Sequence, residues 1–441
     1  MKKIIAILLL GVLFATQSHA QTVNTAKLDS FFNALAANDK TMGSFAVAKD
    51  GRVVYQRSVG YQVLGPDSVK ATANTQYRIG SITKVFTAVM IFQLIDEGKL
   101  SLDTKLSKFY PALPNSDKIT IDHLLSHTSG LIDYVSEVSN RVWITQAHPK
   151  NELLDTIAKR KVNFEPGSKQ QYSNSGYLLL SYILEDITGK SFNKLLETRI
   201  VKKLGLKSSV AGVPNNSKNE AMPYARISSW TDIKDIYFPN VIGVGDILST
   251  PADLLVFMNA LASGKLLSAE RYADMRTFTG QSRLARGLMK VPFYEYWGLG
   301  HGGDTYGTHS ILYHFKESGI SIAFCVNGLN YPINDISIAL LSAAYNKPLQ
   351  IPSFKSLDLT PAELDPLTGT YSSAGLPFTI TVTRNGSSII AQASGQSALP
   401  MEAVTKSRFK FDGAGIVLEF DTQKKEMLLK QHGHSFVFSK Q

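Results

Sequence analysis

The chain has 441 residues, with 46 Lys and Arg against 36 Asp and Glu for a formal net charge of +10, and it is 44% hydrophobic with 32 Gly, 17 Pro and one Cys. That apolar fraction excludes long disorder, and the Gly and Pro usage excludes collagen-like or low-complexity architectures. One Cys excludes an internal disulfide and a thiolate zinc cluster, and the positive charge, spread without long basic runs, is only a faint pointer to anionic partners.

Residues 1–20 read as a signal peptide. Lys2 and Lys3 form a positive start, Ile4 to Ala15 an apolar stretch, and Ser18-His19-Ala20 a small-residue cleavage site. The stretch falls short of the ~20 residues that span a bilayer, so the expectation is an exported bacterial protein, periplasmic or secreted, with no stable membrane span after cleavage.

From Asn24 to Lys40 the apolar positions Leu28, Phe31, Phe32 and Leu35 recur at helical spacing. Ser44–Lys49 and Arg52–Val59 are strand-like around Asp50-Gly51, a two-residue hairpin signal. A helix-rich region runs from Thr83 to Leu206, including Thr83–Glu97, Asn151–Lys159, Tyr177–Thr188 and Phe192–Leu204. Ser249-Thr250-Pro251 opens another helix with a cap and a first-turn proline. Ser310–Phe315 and Ile320–Val326 form a second hairpin, and Ile333–Tyr345 a last helix. Strands at both ends with helices between them predict an α+β domain over 21–347, an antiparallel sheet flanked by helices with an all-helical subdomain. Pro348, Pro352, Pro361 and Pro366 mark 348–366 as a linker, and 367–441 alternates like a small all-β, barrel-like domain.

Three motifs carry chemistry. Ser81-Ile82-Thr83-Lys84 follows Gly80 and opens an apolar helix, which puts serine and lysine on one face, one turn apart. A serine hydroxyl is a weak nucleophile and needs such a partner for its proton. Ser-x-x-Lys recurs at Ser191–Lys194 and Ser407–Lys410, where a capping serine and a surface lysine explain it. Tyr172-Ser173-Asn174 is a polar turn before a helix; its tyrosine can accept a proton if a neighbouring cation lowers its pKa, and its amide can orient an amide substrate. His301-Gly302-Gly303-Asp304 precedes a strand, where glycines let backbone N–H groups approach a carbonyl oxygen.

Other signals are weaker. Gly-x-Ser-x-Gly is absent, and His123 and His127 lack the glutamate a zincin helix requires, so both are expected to pack or hydrogen-bond locally. His432-Gly433-His434 has no third metal ligand in sight, Cys325 reads as a buried thiol, and no phosphate loop or nucleic-acid motif is present.

Arg78-Ile79-Gly80-Ser81-Ile82-Thr83-Lys84, Leu124-Leu125-Ser126-His127-Thr128-Ser129-Gly130-Leu131, Tyr172-Ser173-Asn174 and Gly300-His301-Gly302-Gly303 occur in the order of one family. Together they resemble the serine β-lactamases and penicillin-binding proteins, most closely the class C branch with its esterase and D-aminopeptidase relatives. The tail is similar to the small, lipocalin-like barrels appended to exported hydrolases of this kind. The resemblance implies Ser81 as acylated nucleophile, Lys84 as its proton partner, Tyr172 as general base and Asn174 as substrate-positioning. It places the oxyanion hole at the N–H groups of Ser81 and Asp304, next to Gly303. Typical β-lactamases carry lysine where His301 stands, a weaker and pH-dependent cation, which argues against efficient β-lactam turnover. The expected function is a serine hydrolase using neither metal nor cofactor, with a small-molecule or peptide substrate, an ester, D-amino peptide or related amide, possibly from cell wall. The alternatives are a true β-lactamase, a catalytically silent wall-peptide binder of the same fold, and a function residing in the tail.

Overall fold

The computed structural model describes residues 23–136, 141–278, 280, 282–354, 357–431 and 433–441; the expected signal peptide lies outside them. The central sheet is antiparallel, in the order Arg52–Val59, Thr41–Lys49, Ile320–Leu329, His309–Phe315, Tyr296–Asp304, Met289–Phe293. The short strand Tyr224–Arg226 joins it beside Ile320–Leu329 and pairs in turn with Trp230–Asp232. The two ends of the larger domain therefore meet in the middle of the sheet, with Phe45 opposite Phe324 and Ala46 opposite Ala323. Asp50 and Gly51 both take positive φ, 51° and 75°, which turns the first hairpin in the sense its strands require.

Side-chain alternation gives the two faces different characters. Phe45, Val47, Ile322, Phe324 and Val326 point into one core, covered by the helices Thr25–Ala37 and Ile333–Ala344. Ala46, Ala48, Ala323 and Cys325 point into the other, where their small size lets the helix Pro251–Ala262 pack closely, with Phe86 of the helix Thr83–Asp96 stacked on its Phe257. Burial pushes the Cys325 thiol far above its usual pKa, which keeps it inert.

The sequence features that end and start helices operate as read. Asn24 caps Thr25–Ala37 through Lys27 N–H, and Thr250 caps Pro251–Ala262 through Asp253 N–H, with Pro251 in the first turn. The helix expected from Tyr177 begins three residues earlier, at Asn174. Every residue from Thr83 to Phe92 is buried, so the helix Thr83–Asp96 runs through the core and meets solvent only at its C-terminal end.

The segment read as a linker is in part structured. Thr360 and Glu363 form a capping box around Pro361–Leu364, a helix start that the count of prolines had disguised as punctuation. Leu359, Leu364 and Leu367 pack into the core of the C-terminal unit. That unit is an up-and-down barrel of eight strands from Gly369–Ser372 to His434–Lys440, closed by pairing of the last strand with the first. The barrel is tied to the larger domain through Lys40, 2% exposed, whose Nζ is 2.5 Å from Glu402 Oε1 and 3.3 Å from Asp412 Oδ2 and lies over the Phe354 ring.

Candidate active site

The strand Tyr77–Arg78 leads into a tight turn, Gly80–Ile82, that runs directly into the Thr83–Asp96 helix. Gly80 sits at φ 49°, and a Cβ there would lie 2.7 Å from the backbone nitrogen of Asp304, so only glycine lets the serine turn press against that strand. Gly303 does the same from the other side: a Cβ would stand 1.9 Å from the Ile79 carbonyl oxygen. Ser310 Oγ, donating to Ile79 O at 2.7 Å, fastens the two together. Arg78, paired with buried Glu220 and donating to the Asp246 carbonyl, anchors the approach.

Ser81 is half-buried, and Ser81, Asn174 and Asp304 border one cavity with the apolar wall Val135, Ile236, Phe238 and Val241. Lys84 is completely buried one turn on, its Nζ 3.0 Å from Ser81 Oγ and 3.0 Å from the Val244 carbonyl oxygen. Burial pulls its pKa down to about 7, with the charge of Asp133 opposing the fall. A large fraction of Lys84 is therefore a neutral amine near neutral pH. In that form its lone pair can take the Ser81 proton while one N–H donates to Val244.

Tyr172 is hydrogen-bonded to Ser81, and Lys84 Nζ lies 5.1 Å from its ring centroid. The expectation that a cation lowers the pKa of Tyr172 is corrected: burial raises it, despite the hydrogen bond to Ser81. Asn174, in the first helical turn behind Tyr172, donates to both oxygens of Asp133 at 3.2 and 2.9 Å. His301 is buried, 6.2 Å from the Tyr172 ring between centroids, and its Nδ1–H donates to Gly302 O. The expectation of a pH-dependent cation at His301 is also corrected, because burial depresses it to about 4 and leaves a neutral imidazole. Asp304 stands at the strand end with its carboxylate exposed and hydrogen-bonded to His309 Nδ1 at 2.6 Å.

The structure thus brings all seven sequence-predicted residues to one place. It also adds groups that the sequence did not single out. The Val244 carbonyl is held by a turn in which Asp246 accepts from Gly243 N–H and Thr87 donates to Gly243 O; the clustered Gly243-Val244-Gly245-Asp246 was the available signal. Asp133 had none. His127, in the segment whose order was noted without a role, sits at φ 60°, stacks on Tyr172 at 4.4 Å between ring centroids and accepts from Ser173 N–H. His123, in contrast, only completes a helix cap with Thr120. Ser191 caps a helix, and Lys194 pairs with Glu197 on the surface. His434 begins the last strand, and its companion His432 lies outside the described residues.

The model of the family described as Beta-lactamase matches residues 28–344. The chain belongs to the beta-lactamase family. All seven residues of the site fall inside the span matched to that family. Among curated relatives, the teichoic acid D-alanine hydrolase of Staphylococcus aureus (strain MRSA252) is 29% identical over 231 residues, 51% of this chain and 55% of that protein. The chain thus spans little more than half of that relative's length. The D-amino acid amidase of Ochrobactrum anthropi SV3 superposes with a TM-score of 0.60 at 27% identity, covering 68% of this chain and 92% of the amidase. The octameric penicillin-binding protein homologue from Pyrococcus abyssi is 24% identical with a TM-score of 0.65, and its fold covers 94% of this chain and 100% of its own. Membership of the family, the D-alanine hydrolase and the D-amino acid amidase support serine hydrolase activity.

Proposed function

We propose that the protein is an exported serine hydrolase that forms an acyl-enzyme on Ser81 and acts on a D-aminoacyl ester or amide. The observation that carries this reading is the 3.0 Å contact between Ser81 Oγ and the Nζ of a lysine that burial brings to a pKa of about 7. Lys84, as the amine, takes the hydroxyl proton as Ser81 Oγ attacks the carbonyl carbon. The N–H groups of Ser81 and Asp304 stabilise the oxyanion, those of a tight turn and a strand end whose positions Gly80 and Gly303 fix. Tyr172, kept protonated by its raised pKa, gives its proton to the leaving oxygen or nitrogen and recovers one from the Lys84 ammonium. Water then attacks the ester on Ser81 by the same route in reverse.

Electrostatics favour the D-aminoacyl class over a β-lactam. His301 is neutral, and Arg and Lys are absent from the described residues that line the cavity, so no cationic side chain there matches a substrate carboxylate. Asp304 at the rim and Asp133 behind Asn174 suit an ammonium group instead. The named activities of the D-alanine hydrolase and the D-amino acid amidase point the same way. The test is intact-mass and turnover measurement with D-alanine esters and amides beside a penicillin. Acylation and turnover of the former, abolished in Ser81→Ala, are expected; turnover of the penicillin alone would overturn the substrate class, and equal turnover by Ser81→Ala the mechanism. Export rests on Lys2, Lys3 and the apolar stretch after them, and is checked by finding mature protein that begins at Gln21 outside the cytoplasm.

A further inference from the structure

The C-terminal barrel is closed, so it offers no strand edge, and its interior is filled unequally. Tyr371 and Phe409 each meet Phe420 edge-on, at 5.7 and 5.8 Å between ring centroids, and Met427 and Phe438 are fully buried in the same core. Beside this aromatic group several inward positions carry small residues. Ala393 lies opposite Ile380 in the register and Ala391 opposite Leu399, and the space they leave is shared with Ala414. The result is a cavity of about 160 Å³, open to solvent beside the exposed Gln396 and Ser397 and walled by aliphatic side chains such as Met401, Leu418 and Leu429.

Its polar groups are few and of one kind. Gln396, Ser397 and Gln431 contribute amides and a hydroxyl, and the described lining holds no charged side chain. Interiors of small barrels are normally packed to crystal density, and an apolar space of this size is costly to leave without atoms in contact with its walls. Water is poorly held against aliphatic walls, whereas a dry apolar cavity of about 150 Å³ admits a molecule as large as benzene. A charged ligand would surrender its hydration with no counter-charge to meet it.

The geometry points to a second binding site in the barrel, apart from the serine site, that takes a small uncharged amphiphile. A short alkyl or single-ring body occupies the aliphatic space, and one neutral hydrogen-bonding group meets the Gln and Ser groups of the lining. This site is independent of the acyl-transfer chemistry at Ser81.

The probe is 1-hexanol, with hexanoate and hexylammonium as charged counterparts, added to the full chain carrying methyl-labelled methionine. Saturable displacement of the Met401 methyl signal by hexanol, at least tenfold weaker for either charged counterpart, is expected. Ala391→Phe fills the cavity and should weaken hexanol binding at least tenfold while turnover of a p-nitrophenyl ester is unchanged. If Ala391→Phe does not fold, Ala393→Leu occupies the same space from a half-buried position and carries the same expectation. No saturable shift in the parent, equal binding of the charged probes, or full binding by the filled variant would each overturn the site. Loss of ester turnover in the parent would count against the acyl-enzyme and leave this result intact.

Discussion

Lys84 Nζ is 3.0 Å from Ser81 Oγ and reaches it from the fully buried first turns of its helix, so the proposed proton partner of the serine is an amine that water does not solvate. Burial brings its pKa to about 7. For a neutral ester, kcat/KM should therefore rise with pH through about 7 and level off above it, as the amine form is populated. His301 and His127, pulled by burial to about 4 and about 3, are already deprotonated there and contribute no break. A flat profile between pH 5.5 and 8.5 would remove Lys84 from the role of base.

The same shift has a consequence for stability. The unfolded amine titrates near 10.5 and the folded one near 7, so between those values the unfolded chain binds the extra proton. Stability contributed at this position grows as pH rises through that window. Lys84→Met removes the buried charge: turnover should fall by at least about 10³-fold, as for members of such catalytic units, while Tm at pH 7 is unchanged or higher. A Tm well below that of the parent at pH 7 would contradict this.

His127 stacks on Tyr172 and accepts from Ser173 N–H at 3.2 Å, while its own carbonyl accepts from Gln171 N–H at 2.9 Å. It holds the 171–173 segment, and so the phenol, in place. His127→Phe keeps the stack and loses the nitrogen acceptor, leaving a buried N–H unpaired at a cost of about 1–3 kcal/mol. Steady-state kinetics should show kcat lowered by about 10- to 100-fold by the displaced Tyr172, with KM little changed. A lower Tm with unaltered kcat would confine His127 to the fold.

Two adjacent glycines separate structure from chemistry. A Cβ on Gly303 would meet the Ile79 carbonyl oxygen at 1.9 Å, whereas on Gly302 its nearest neighbour is the end of the Ile311 side chain at 3.3 Å. Gly303→Ala must push the strand away from the serine turn and move Asp304 N–H off the proposed oxyanion site. Turnover should fall about 10²- to 10³-fold, the scale of a lost oxyanion donor, and Gly302→Ala should retain most of it. Equal activity of the two variants would show that this N–H is not used.

What the sequence revealed and what it hid have physical reasons. The Ser81–Lys84 pair was legible because i and i+3 share a helix face wherever the helix lies. The capping signals at Asn24 and Thr250 and the Asp50-Gly51 turn were legible because they are local. The ionisation of Lys84, His301 and Tyr172 was not, because it depends on burial that only the packed chain creates; at two of the three the sequence suggested the opposite sense. The Val244 carbonyl had only the clustered Gly243-Val244-Gly245-Asp246 to mark it, since every residue has a carbonyl and only the fold aims it. Asp133 is one carboxylate among many until Asn174 is beside it.

The barrel's attachment supplies the remaining prediction. Lys40, at the entry to the first strand of the sheet, is the basic centre of a cluster that joins Glu402, Asp412 and, through Asp412, Lys410 at 2.8 Å. Glu402 is about one-third exposed, but Asp412 is largely enclosed, so the pairing is screened on one side only. Lys40→Met keeps the aliphatic stem over the Phe354 ring and removes the charge, leaving Asp412 short of a partner. The loss, about 1–3 kcal/mol for an enclosed charged group left incompletely paired, falls on the contact between the two domains rather than on either core. Calorimetry should therefore show unfolding that is broader or more clearly split than in the parent, and limited proteolysis should cleave faster between 346 and 360. Ester turnover should stay within about twofold of the parent, since the cluster is remote in structure from Ser81 and shares no residue with its cavity. Unchanged cleavage and an unchanged melting profile would mean that the barrel is held by other contacts.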